Sequence, residues 1–128
     1  MKKFLAMSAI LLSVIILQMP QASAKDVYVG EWEGGWKAYL MPETFDLGKS
    51  GSNTSILAYC TIKTISPRST VKYIDYTFTI PDDLNRYSIS FVDSTGARGA
   101  FYLKDPGVYL VEHRVATLII KFLASYKG

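Results

Sequence analysis

Val71-Lys72-Tyr73-Ile74-Asp75-Tyr76-Thr77-Phe78-Thr79-Ile80 alternates with a period of two. Ile74, Tyr76, Phe78 and Ile80 fall on one side, and Tyr73, Asp75, Thr77 and Thr79 on the other. One apolar and one wetter face is the pattern of a half-buried strand in an antiparallel sheet. Arg86 to Val92 repeats it, with Tyr87, Ile89 and Phe91 set against Ser88 and Ser90. Upstream, Ile56 to Ser66 is long, rich in β-branched residues and stopped by Pro67. The connections Pro67-Arg68-Ser69 and Pro81-Asp82-Asp83 are short enough for hairpins.

Working outward, Asp26 to Gly30 reads as a first short strand, Glu33-Gly34-Gly35 as a turn, and Trp36 to Met41 as a second strand. Gly48 to Ser55 is rich in glycine and serine and reads as an exposed loop. Gly99 to Lys104 reads as a further strand. The period then changes. Asp105 can cap a helix that starts at Pro106, where a missing N–H costs nothing. Val108, Val111, Val115, Leu118, Ile119 and Phe122 recur at helical spacing over residues 106–126. Lys121 and Lys127 lie where the helix dipole favours positive charge. A sheet with one apolar face and a terminal amphipathic helix have a joint solution, in which the helix covers the sheet. The expected fold is α+β: an antiparallel β-meander of five to six strands under a C-terminal helix.

The beginning of the chain reads as an export signal over residues 1–24, ahead of a single domain over residues 25–128. Lys2 and Lys3 form a positive region, Phe4 to Leu17 is apolar, and Ala22-Ser23-Ala24 is the small-x-small pattern of a cleavage site. The 14 residues of the apolar run fall short of the about 20 that span a bilayer. The expected location is extracytoplasmic, in the periplasm or secreted, with no membrane span after cleavage.

Cleavage changes the charge balance. The full chain carries 14 basic and 11 acidic residues; without Lys2 and Lys3 the balance is 12 to 11, a net charge of +1. Scattered charges of that kind do not make the basic patch that nucleic acid requires. Cys60 is the lone cysteine, so no internal disulfide forms and the core must supply the stability.

Few residues are placed for chemistry. His113 is the sole histidine, and its neighbour Glu112 projects about 100° away on a helix. A Cys60–His113 nucleophilic pair would need a reactive thiol, yet Cys60 sits in an apolar strand where thiols are usually inert. A zinc site would need two further carboxylates beyond Cys60 and His113, and no cofactor is expected. Glu31 and Glu33 flank Trp32 and form a conceivable carboxylate pair. Asp93-Ser94-Thr95-Gly96 is a turn, too short for a calcium loop. No phosphate loop, nucleophile elbow or nucleotide fingerprint occurs.

The aromatic side chains are more informative. Trp32 and Trp36 bracket the glycine turn, with Tyr28 and Tyr39 on the flanking strands. With Gly34-Gly35 as the turn, Glu33 and Trp36 flank it, so the two indoles need not share a face. At least one is expected to be partly exposed. Tyr73 and Tyr102 alternate away from the core. Rigid amphipathic rings of this kind suit a sugar or a protein partner.

Asp26-Val27-Tyr28-Val29, Tyr39-Leu40-Met41-Pro42-Glu43-Thr44-Phe45 and Lys72-Tyr73-Ile74-Asp75-Tyr76-Thr77-Phe78 resemble small exported proteins of Negativicutes-type bacteria. The resemblance implies a signal peptide followed by one domain of this size, and no reaction. The expectation is therefore a binding or interaction module for a protein or glycan at the cell envelope, with Tyr28, Trp32, Trp36, Tyr39 and Glu43 as contact residues. The alternative is a small secreted hydrolase using Glu31, Glu33 or Glu43 with His113. A structural subunit assembling through an edge strand is a third reading.

Overall fold

Residues 25–49 and 55–127 are described by the computed structural model. The expected leader at 1–24 and residues 50–54 of the expected loop lie outside them. The described elements are β1 (Val27–Trp32), β2 (Trp36–Lys49), β3 (Ser55–Ile65), β4 (Val71–Pro81), β5 (Ile89–Asp93), β6 (Arg98–Phe101) and α1 (Leu110–Lys127). Each strand pairs antiparallel with the next, in the order β1-β2-β3-β4-β5-β6. This meander curls into a half-barrel, and α1 covers it.

The alternation in β4 sorts the faces as its sequence implies. Tyr76, Phe78 and Ile80 point inward beside Ala58, Cys60 and Ile62 of β3, Ile89 and Phe91 of β5, and Ala38 and Leu40 of β2, all buried. Against this face α1 buries Val111, Val115, Ala116 and Ile119. Each large aliphatic chain withdrawn from water contributes about 1.5–3 kcal/mol, so the seam of sheet and helix is the principal source of stability.

Four local expectations are corrected. The helix starts at Leu110 rather than Pro106. Asp105 does not cap it; its Oδ1 accepts the N–H of Gly107 at 3.1 Å, and Gly107 adopts φ +59°. That left-handed residue, cheap only for glycine, closes a turn through Tyr109 N–H to Pro106 O (3.0 Å) before the helix begins. Val108 consequently stands 86% exposed, outside the helical stripe.

β5 begins at Ile89 rather than Arg86. The N–H groups of Arg86 and Tyr87 both donate to Asp83 O, which keeps them in the preceding turn, and Tyr87 is exposed. β6 is displaced toward the N-terminus, ending at Phe101, because Tyr102 and Asp105 form an isolated bridge around a turn.

β2 does not end at Met41 but continues to Lys49 through a bulge. Met41 faces Thr61 and Asp46 faces Tyr59, so residues 42–45 are accommodated opposite Cys60 alone. Pro42 has no N–H to give the ladder, and a bulge is where a strand tolerates it. Thr44 repairs the gap with its side chain: Oγ1 accepts Thr61 N–H at 2.8 Å and donates to Met41 O at 2.7 Å. Phe45 then meets Phe122 of α1 edge-on, with ring centroids 5.0 Å apart.

Ile119→Ala is expected to lower stability by about 2–5 kcal/mol through the cavity it leaves. Val108→Ala is expected to stay within about 0.5 kcal/mol. Urea denaturation of both variants checks this, and equal effects would mean that α1 is not seated as described.

Candidate functional site

Four residues paired in succession cross the outer face of the sheet: Tyr28 of β1, Tyr39 of β2, Lys63 of β3 and Tyr73 of β4. With adjacent strands about 4.8 Å apart, the row spans about 14 Å. Tyr28 is 48% and Tyr73 60% exposed. Tyr28 and Tyr39 meet edge-to-face at 5.6 Å and 62°, the geometry the ring quadrupoles prefer. Lys63 stands on the wet side of its strand, yet it is only 9% exposed. Its ammonium lies 3.1 Å from Oδ2 of Asp26, whose carboxylate is buried. Charge is thus paired within the row, and its exposed surface is tyrosine.

The tryptophans are arranged differently from the expectation. Trp32 and Trp36 are direct cross-strand partners, closed by the loop Glu33-Gly34-Gly35, with Gly35 N–H donating to Trp32 O at 3.1 Å. Gly34 and Gly35 both have left-handed φ, +89° and +81°, so the turn takes in all three loop residues. The indoles therefore share the side of the hairpin that carries the buried Ala38. Both are half-buried. Trp32 packs on the core, while the Lys72 ammonium lies over the Trp36 ring at 5.2 Å.

The five expected contact residues thus divide three ways. Tyr28 and Tyr39 belong to the outer row, Trp32 and Trp36 to the inner side of the hairpin, and Glu43 to the exposed β2 bulge. Of the carboxylates weighed for catalysis, Glu31 lines a groove of about 640 Å³ together with His113. Glu33 and Glu43 lie elsewhere, exposed in the turn and the bulge. The His113 Nε2 is held by the carbonyl of Leu103 at 2.6 Å, and its ring lies 5.6 Å from that of Phe101. Among the described residues, no group of three or more His, Cys, Asp and Glu is placed to hold a metal ion.

The interior carries polar chemistry of a different kind. Tyr76 donates its hydroxyl to Oε2 of Glu112 at 2.9 Å across the sheet–helix seam, with both residues buried. Burial and the adjacent carboxylate of Glu112 push the Tyr76 phenol far up. Cys60 is the cross-strand partner of Tyr76 and is 3% exposed. Burial, reinforced by the Asp75 charge, pushes its thiol up to about 12. A nucleophilic cysteine needs the opposite shift.

Two of these arrangements go beyond the sequence expectations. Glu112 lies at i, i+4, i+7 spacing with Ala116 and Ile119, which puts it on the buried stripe. Nothing local marks the Lys63–Asp26 pair, because its members stand far apart in the chain.

Comparison of the chain with known protein families, with curated proteins and with solved structures found no match.

The thiol shift carries a pH dependence. Between about pH 9 and about 12 the unfolded chain loses the Cys60 proton while the folded chain keeps it. The folded state then binds more protons, so stability falls as pH rises through that window and is intact below it. Denaturation midpoints measured across this range are expected to fall less steeply in Cys60→Ala than in the native chain. Parallel curves would contradict the assignment.

Proposed function

We propose that the protein is an exported, non-catalytic binding module of the cell envelope or its surroundings, which contacts a protein or glycan partner through its outer tyrosine row. The observation that carries this reading is the succession Tyr28–Tyr39–Lys63–Tyr73, in which Tyr28 and Tyr73 are exposed on one continuous face. Tyrosine offers contact area at low entropic cost, and the scaffold beneath it is hydrogen-bonded strand. Trp32 and Trp36, less exposed and on the other side, support the hairpin in this reading.

Export rests on the leader-like residues 1–24 and on the resemblance to small exported proteins of Negativicutes-type bacteria. Among the described residues, no helix is long and apolar enough to cross a membrane. The hydrolase alternative draws on the groove that Glu31 shares with His113. Against it, the imidazole Nε2 is already engaged by Leu103 O.

The test uses soluble peptidoglycan fragments and the protein partners that crosslink to a photoreactive residue at position 73. Tyr73→Ala is expected to leave stability within about 0.5 kcal/mol, and Tyr28→Ala to lower it by about 0.5–1.5 kcal/mol through loss of its ring pair with Tyr39. Either is expected to weaken binding of the recovered partner by about 1–3 kcal/mol. Undiminished binding in the double variant Tyr28→Ala/Tyr73→Ala would reject the row as the contact face.

A further inference from the structure

β1 is an edge of the sheet: β2 pairs with one side of it, and no strand among the described residues pairs with the other. The groove of about 640 Å³ runs between this edge and α1. Its strand wall is Val29, Gly30 and Glu31, and its helix wall extends from Leu110 to Lys121. At the bottom the two walls touch, since a Cβ on Gly30 would stand 3.1 Å from Cγ2 of Val111. Val29 and Val111 are buried there, and Leu110 offers exposed apolar surface above them.

The shape of the groove selects the shape of its occupant. From Leu110 to Lys121 the helix rises about 16 Å, and a strand covers that length in about five residues. A long trough beside unpaired main-chain groups fits an extended peptide, which can add to an edge as a further strand. The charges narrow the choice. Arg114 and Lys121 line the helix wall, both exposed and two turns apart, with Thr117 between them. His113 is turned to Leu103 O, and the acidic Glu31 stands on the opposite wall.

We infer that the β1–α1 groove is a docking site for an extended acidic peptide segment, which pairs with the free edge of β1 and sets its carboxylates against Arg114 and Lys121. The site is separate from the tyrosine row, because β1 turns Tyr28 to the outer face while its edge borders the groove. Failure of one therefore leaves the other standing.

The probe is a synthetic blocked hexapeptide of alternating glutamate and valine, titrated into the isotope-labelled protein and followed by amide NMR shifts. Shifts are expected along Val27–Trp32 and along residues 110–121, not on Tyr73. Arg114→Glu/Lys121→Glu is expected to bind about tenfold more weakly, the effect of reversing two exposed charges. Methylating alternate peptide nitrogens on the pairing side is expected to abolish binding without touching the protein. The inference is overturned if the methylated peptide or a lysine–valine peptide binds equally, or if no β1 amide moves at millimolar peptide. It is equally overturned if the β1 amides shift with protein concentration alone, in step with a monomer–dimer change by sedimentation, since the groove would then receive a second copy of the chain.

Discussion

The inner face of a curled six-stranded sheet must be covered, and α1 is the element that covers it. Everything else in the molecule is arranged around that seam. Val111, Val115, Ala116 and Ile119 are buried against β-strand side chains that would otherwise face water. The helix also reaches both ends of the curl, meeting β1 at Gly30 and Phe101 of β6 through His113. Across the middle, the Tyr76–Glu112 hydrogen bond selects one rotation of the helix. A carboxylate buried without a donor is costly, and here the donor is fixed on a central strand. The seam is therefore specific as well as hydrophobic.

The two candidate binding surfaces are consequences of this placement. Because α1 occupies the inner face, the outward side chains of β1 to β4 remain available, and their register lines up three tyrosines around Lys63. Pairing with Asp26 lets the lysine sit low among the rings. Where α1 meets β1 at Gly30 and Val111, a trough remains above the contact. The same packing decision creates an outer aromatic face and a basic-rimmed groove on different sides of one strand.

The bulge in β2 shows how a long strand follows the curl. Pro42 interrupts the ladder, and Thr44 supplies by side chain the acceptor and donor that the backbone withdraws. Phe45 is thereby delivered to the C-terminal half of α1, where it meets Phe122. Glu43 is left exposed at the tip of this feature. Its neighbourhood is thus shaped by the bulge and by the Thr44 hydrogen bonds.

By itself the sequence determined the class of fold, the order of the elements and the buried side of β4 and of Ile89 and Phe91 in β5. Along the helical stripe the expected burial holds at Val111, Val115 and Ile119 but not at Val108 or Phe122, which are exposed. The alternation around Tyr76 and the stripe around Val115 are local periods, and a period states directly which side chains share a face. Exposure of Tyr73 and burial of Cys60 followed from the same pattern. The tertiary structure alone decided which of those faces meet. The pairing of Trp32 with Trp36 depended on how many residues the turn absorbs, the start of α1 on the conformation of Gly107, and the length of β2 on a threonine replacing a ladder bond. The Lys63–Asp26 pair and the β1–α1 groove join segments far apart in the chain. Such contacts carry no local period, because they arise from strand register and sheet curl, and burial selects those only when the whole chain packs at once.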